Sequence, residues 1–251
     1  YKLELNIFNK YVHKSLPAIT SNDIRIYLSQ FPKLKQSSIS KKIFVLRSFF
    51  NTMIQEEIII KNPMAKINTP KKEKRLPKAL SEEQLELLRE NCKTLRERAM
   101  LELYFATGCR LNELSQLNIE DINWRERSIK VIGKGSKERI VYFKFKASHH
   151  LKKYLDSRND DCSALFITER QEYRRLSNRG IQREFKNIGN RVGINLHPHL
   201  MRHSQATALL NNGADLALVQ QILGHERPDT TQGYCQLSEL NVRDGYKKFA
   251  S

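Results

Sequence analysis

The sequence predicts a mainly α-helical α+β protein in two units: a small N-terminal helical bundle, and a larger helical domain with a small antiparallel β-sheet. Three observations predict it. Apolar residues recur at three- and four-residue intervals through several long segments, the spacing of one helical face. Two runs rich in Ile and Val flank Gly133-Lys134-Gly135-Ser136-Lys137, the strongest hairpin signal in the chain. Pro70 and Pro77 bracket Lys71-Lys72-Glu73-Lys74-Arg75-Leu76, a charge run with almost nothing for a core to accept.

Taken in chain order, the first helix signal is Thr20. Asp23 stands three residues on and Ile24, Ile26 and Leu28 follow, a capping box with Asp in place of Glu. Ile39, Ile43, Leu46, Phe50 and Met53 then mark one face of a second helix, with Lys41, Lys42 and Arg47 falling elsewhere around it as basic flanks. Residues 1–69 are therefore expected to form a helical bundle, and residues 70–78 an interdomain linker. An ordinary surface loop is the alternative for that stretch. In the second unit, residues 79–251, Ser81 and Gln84 have capping-box spacing and open a helix carrying Leu85, Leu87 and Leu88. Leu95–Ala106 reads as the next helix, and Ser128–Ile132 and Arg139–Phe143 as the two strands of the hairpin. From Asn178 the chain returns to helix, with Ile181, Phe185, Ile188 and Val192 on one face. Near the end Leu240, Val242, Tyr246 and Phe249 come close to helical spacing within Ser238–Phe249, a helix that packs on its own chain or on another. There is no internal repeat and no low-complexity tract.

Charge narrows the function. Lys and Arg number 44 against 27 Asp and Glu in 251 residues, a formal net charge of +17. A polyanion is the natural partner of such a chain, and a ribosome-associated protein is the plainer alternative. The charge is spread through segments with regular apolar spacing, which argues against a disordered basic tail. Cys92, Cys109, Cys162 and Cys235 are widely separated with no CxxC pair, so neither a zinc ribbon nor a disulfide framework is expected and a reducing, cytoplasmic setting fits best. No apolar run approaches the roughly 20 residues needed to span a bilayer; Ile58–Ile60 is the longest suspicious patch, and no membrane partner is expected. The first residue is Tyr1 rather than Met, which leaves open whether the natural start is included, and no signal peptide can be argued.

The residues suited to chemistry cluster where helices begin or end. In Thr107-Gly108-Cys109-Arg110-Leu111-Asn112-Glu113-Leu114 a glycine break stands before an arginine and a new helix, a good place to hold a phosphate. Glu113 is placed to orient Arg110 or the helix start; a surface Arg–Glu pair explains the segment equally well when it stands alone. Lys134 lies at a glycine-flanked hairpin tip, where a lysine can protonate a leaving oxygen, pair with a phosphate, or face solvent. In His197-Pro198-His199-Leu200-Met201-Arg202-His203 the spacing of three puts His199 and Arg202 on one helical face, two phosphate-directed donors together. His199 and His203 also have the spacing of a zinc-binding helix, but the companion Glu is absent and nothing nearby completes a ligand set, so no metal is expected. His203, followed by Ser204, reads instead as a supporting, buried structural histidine. Leu223-Gly224-His225 is followed by Tyr234; a lone tyrosine near a chain end ordinarily serves packing, whereas a phenol beside a cluster of cations becomes a competent nucleophile because its anion is favoured.

In this order, from TGCRLNEL through VIGKGSKERIV and HPHLMRHSQATALLNNGADLALVQQILGH to TTQGY, the segments resemble the tyrosine recombinase, or phage integrase, family and its compact Xer-like members above all. The resemblance runs through essentially all of the second unit. It implies that Arg110 is the first catalytic arginine, Lys134 the hairpin lysine, His199 and Arg202 the HxxR pair, His225 the later histidine and Tyr234 the nucleophile, with Glu113 in a supporting acidic position. It implies a metal- and cofactor-free reaction through a 3′-phosphotyrosyl link. It further implies a SAM-like core-binding fold for the N-terminal bundle, double-stranded DNA as partner, and a homo-tetramer, or a hetero-tetramer with a related recombinase, that exchanges its C-terminal helix on two DNA sites.

Two departures stand out: Cys235-Gln236 where the family often has Thr-His, and Cys109 where an aliphatic is more usual. Neither removes a reactive group. The rivals are a type IB topoisomerase-like enzyme, whose usual size and flanking domains are missing, and a catalytically silent DNA-binding regulator, against which the intact set of reactive residues argues. Chromosome dimer resolution, cointegrate resolution, and integration or excision of a mobile element all remain compatible with these residues.

Overall fold

The computed structural model describes residues 1–70, 79–133, 135, 137–169 and 172–224. Lys134, His225, Tyr234 and Cys235, residues 71–78 of the expected linker, and the helix expected over Ser238–Phe249 all lie outside the described residues. The chain divides into two compact units, Tyr1–Arg75 and Leu76–Ser251.

The first unit holds α1 (Lys2–Tyr11), a short 3-10 turn (Leu16–Ala18), α2 (Ser21–Ser29) and α3 (Gln36–Gln55). Thr20 caps α2: its hydroxyl accepts from the Asp23 N–H, and the Asp23 carboxylate accepts from the Thr20 N–H at 2.8 Å. Lys14 donates to the same carboxylate at 2.7 Å, and that bond with the two from Thr20 lowers the Asp23 pKa to about 2. Ile43, Leu46 and Phe50 of α3 are buried against Phe8, Ile24 and Tyr27, with Phe8 edge-on to both Tyr27 and Phe50. The basic flank of α3 departs from expectation at Lys42. Its side chain is buried, donating to Glu4 at 2.5 Å and to the Tyr27 hydroxyl at 3.2 Å, with the ammonium 4.0 Å from the Phe31 ring centre. A long aliphatic stem lets a lysine line an apolar core while its charge finds a carboxylate and an aromatic face.

The second unit is built around α5 (Leu95–Thr107), which packs against α7 (Phe145–Asp156), α8 (Asn178–Arg191) and α9 (Pro198–Asn211). Because neighbours cover it on several sides, α5 buries polar as well as apolar residues, and each buried charge on it is paired. Arg96 donates to Glu184 at 2.9 Å, Arg191 grips Glu97 with two bonds of 2.7 Å, and Arg89 grips Glu102 at 2.9 and 3.0 Å. α4 (Glu82–Glu90) starts at the Ser81–Gln84 capping box, and α6 (Leu111–Gln116) and α10 (Leu216–Leu223) complete the helices described. The sheet is antiparallel in the order β1 (Ile122–Asn123), β2 (Ser128–Ile132), β3 (Glu138–Tyr142). β1 was not foreseen; two residues carry no readable alternation. The β2–β3 register pairs Ile129 with Val141 and Val131 with Arg139. Ile129, Val131 and Val141 are buried, so the face they share turns inward and Arg139 lies on it. None of the described helices is long and apolar enough to cross a membrane.

Candidate active site

The site begins where α5 stops. Gly108 takes a left-handed conformation, φ +55°, and its N–H returns to the Tyr104 carbonyl at 2.9 Å. A Cβ at this position would lie 2.4 Å from the Gln205 Oε1 and 2.8 Å from a Leu223 methyl, so both side chains would have to shift in addition to the strain at the turn. Two residues later Arg110 is the N-cap of α6. Its backbone N–H donates to the Glu113 Oε2 at 2.6 Å, its Nη1 to the Glu113 Oε1 at 2.9 Å, and its Nη2 to the Gly224 carbonyl. Glu113 thus bonds both the backbone and the side chain of Arg110 while buried, with a side chain only 2% exposed against 37% for Arg110.

A third partner completes this group. Arg139, reaching in from β3, places Nη1 and Nη2 on the two Glu113 oxygens at 2.7 Å each and donates its Nε to the Ile222 carbonyl at 3.2 Å. Burial alone pushes the Glu113 carboxyl upward; the bonds from Arg139 and from the Arg110 backbone and side chain outweigh it and hold the group below its ordinary value, ionised at neutral pH.

His197 caps α9, accepting the Leu200 N–H on Nδ1 at 3.1 Å, with Pro198 in the first turn. His199 and Arg202 follow one turn apart but in different surroundings: His199 is exposed, Arg202 buried. Arg202 donates through Nη1 to the Gly108 carbonyl and through Nη2 to the Leu223 carbonyl at 2.6 Å. Its pKa is lowered, first by burial and then by repulsion from Arg110, which places the two guanidinium groups within each other's field. Both ends of the site are thus tied to Leu223–Gly224, where α10 ends in a second left-handed glycine, φ +66°.

The structure brings Arg110, Glu113 and Arg202 into one cluster. It leaves His199 at the exposed start of α9, with no hydrogen bond to either arginine among the described residues. His203 is buried on α9 and is engaged in a contact of its own. Of Lys134, His225 and Tyr234, the chain neighbours of the first two are informative. A Cβ on Gly133 would lie 3.5 Å from both Arg110 Nη1 and Glu113 Oε1, and the Gly224 carbonyl is itself an Arg110 partner. Sequence reading missed Arg139. Its signal was there: a charged residue two positions before Val141, on the strand face that alternation turns inward. Among the described residues no group of three His, Cys, Asp or Glu could hold a metal ion. Three guanidinium groups around one carboxylate leave net positive charge, and of the three Arg110 is the most exposed.

Comparison with known proteins identifies the family. The model of the phage integrase family matches residues 78–240. Tyrosine recombinase XerD of Oceanobacillus iheyensis is 38% identical over 237 residues, covering 89% of this chain and 79% of the relative. Tyrosine recombinase XerC of Staphylococcus aureus is 36% identical over 255 residues, covering 97% and 86%. Among solved structures, the crystal structure of XerA recombinase superposes with a TM-score of 0.62 at 30% identity over 99% of this chain and 89% of that one. XerH bound to a palindromic difH substrate, in a post-cleavage complex, superposes with a TM-score of 0.80 at 24% identity over 100% and 79%, a likeness of fold. With a family match across most of its length and close relatives along nearly all of it, the chain belongs to the phage integrase family and is a site-specific tyrosine recombinase, an enzyme that cleaves and rejoins DNA.

Proposed function

We propose that Tyr234 is the nucleophile and that Arg110, Arg202, Lys134, His199 and His225 act with it on one backbone phosphate. The phenolic oxygen of Tyr234 bonds to phosphorus while the bond to the 5′ oxygen breaks, leaving a 3′-phosphotyrosyl link and a free 5′ hydroxyl. Lys134 donates the proton that the departing 5′ oxygen takes up, and His199 assists the proton leaving Tyr234. Arg110, Arg202, His199 and His225 offset the charge that grows on the non-bridging oxygens, where fixed donors count most. Arg110 meets the phosphate from the solvent side; Arg202, buried, adds its field from beneath. The phosphoryl bond is conserved, so a partner strand's 5′ hydroxyl reverses the step and no cofactor is called for.

The observation that supports this reading best is the convergence on Arg110 of two segments far apart in the chain, Gly133 beside Lys134 and Gly224 beside His225. On the same reading the N-terminal bundle, residues 1–69, and the catalytic unit, joined by residues 70–78, clamp double-stranded DNA. Four copies, or two pairs with a related recombinase, act on two sites with the C-terminal helix passed between subunits. XerH, of like fold, is bound to its own difH substrate, which supports DNA as the partner.

The test is a recombination-site duplex nicked beside the cleavage point, so that the cleaved fragment diffuses away. The wild type accumulates a covalent protein–DNA adduct on a denaturing gel and Tyr234→Phe does not. Arg110→Ala and Arg202→Ala each slow adduct formation at least about 10²-fold, by analogy with other lost transition-state donors. An adduct that survives in Tyr234→Phe assigns the nucleophile to another residue.

A further inference from the structure

We propose that Arg139 is a positioning residue for the cleavage step, holding Arg110 in place through Glu113 and fastening the end of α10 to the same point. Its three donor nitrogens go to three oxygens on two residues, Glu113 and Ile222, in two segments. Two bonds of 2.7 Å close a fork on the Glu113 carboxylate, and the Nε bond of 3.2 Å holds the Ile222 carbonyl, two residues before the Gly224 carbonyl that Arg110 contacts. The Arg139 side chain is 15% exposed, so its fork is enclosed rather than offered to solvent. It sits so close to Gly224 that a Cβ there would lie 3.1 Å from its Cδ and Nε. One guanidinium thereby cross-links β3, which follows the Lys134 turn, to the start of α6 and to the segment leading to His225.

The electrostatic consequence has a sign. Glu113 uses both oxygens twice: each accepts from Arg139, and Oε2 and Oε1 also accept from the N–H and Nη1 of Arg110. Burial favours the neutral carboxyl, and Arg139 is the leading opposing influence. Without it the carboxyl titrates at higher pH, and a protonated Glu113 loses an acceptor for Arg110. While still ionised, it has one cation fewer and draws the Arg110 guanidinium further from the phosphate. Among the described residues, the charged and titratable groups that face Glu113 are Arg110 and Cys109 ahead of α6, Arg139 on β3, Arg202 on α9 and Tyr104 on α5. Cys109 and Tyr104 are buried and raised, so neither titrates in the acid range.

This inference rests on the roles proposed above, and its test is arranged to fail separately from them. Wild type, Arg139→Gln, Arg139→Lys, Glu113→Gln and the double variant Glu113→Gln with Arg139→Gln are assayed on the nicked duplex between pH 5 and 8, with duplex affinity and thermal unfolding measured alongside. Arg139→Gln is expected to slow adduct formation by about 10²-fold, the cost of a small misplacement of a reacting group. Affinity for the duplex stays within about threefold, because Arg139 is spent on internal partners. Arg139→Lys, which returns the charge without the fork, recovers part of the rate. The double variant is as slow as Glu113→Gln alone, the non-additivity of residues acting through one another. In Arg139→Gln the rate falls on the acid side at a higher pH than in the wild type, a change that general loosening of the fold does not produce. Additive losses in the double variant, or a pH profile unshifted in Arg139→Gln, overturn the inference; if Arg139→Gln does not fold, an Arg139→Lys rate equal to wild type does so. Failure of the wild type to form an adduct, or persistence of the adduct in Tyr234→Phe, rejects the catalytic assignment instead.

Discussion

Glycine decides the geometry at the site's two turns, and the stability cost of replacing it can be separated into parts. Gly108 has φ +55° and a crowded Cβ direction, whereas Gly213, φ +87°, has nothing within 4 Å of an added Cβ. Gly213→Ala therefore carries only the left-handed backbone cost, about 1–2 kcal/mol. Gly108→Ala carries the same cost plus the shift it forces on the buried Gln205 and Leu223 side chains, so a larger loss is expected. Urea unfolding of the two variants checks the difference, and equal losses contradict the close approach at Gly108. The glycine before Arg110, the arginine at the helix start and the Glu113 support were all legible in the sequence, because each follows from neighbours along the chain. Alternation turns Arg139 inward, but its partner Glu113 is 26 residues away, so the strand pattern shows a buried charge without showing what it meets. Lys42 shows the same limit: its partner Glu4 lies 38 residues earlier, and a lysine beside an apolar stripe reads as solvated until both are placed.

At the scale of elements, local chemistry set the starts of helices more faithfully than apolar spacing set their faces. Thr20 and Ser81 each begin a helix through a reciprocal bond with the residue three on, as their spacing predicted. Thr20→Ala and Ser81→Ala should each cost about 1 kcal/mol, against about 2–5 kcal/mol for Leu46→Ala in the first unit's core, where the side chain is fully buried. Circular dichroism through a denaturant titration reads these losses; a Leu46→Ala protein as stable as Thr20→Ala would mean that α3 does not carry that core. The β-hairpin was legible because alternation and the glycine-rich turn agree, though β3 runs Glu138–Tyr142, one residue earlier than expected. α5 falls where Leu95–Ala106 was expected, one residue longer, but it has no one-sided apolar pattern because Arg96, Glu97 and Glu102 are buried in ion pairs beside apolar residues.

For the whole molecule the governing quantity is the net charge of +17, and the ion pairs show which cations are already committed. Each phosphate neutralised on DNA releases counterions and adds a slope of about −0.9 to log K plotted against log salt. An arginine reaching a phosphate is then distinguishable from one held internally, whatever its effect on rate. Arg110, 37% exposed at the side chain, is expected to contribute to that slope; Arg139, with three of its donors on protein oxygens, is not. With affinity for the recombination-site duplex measured across a salt series, Arg110→Ala should make the slope shallower by about 1, while Arg139→Gln leaves it at the wild-type value even though both variants cleave slowly. A slope that shallows equally in both places Arg139 on the DNA rather than behind Arg110, and a wild-type affinity indifferent to salt contradicts a clamp built on phosphate contacts.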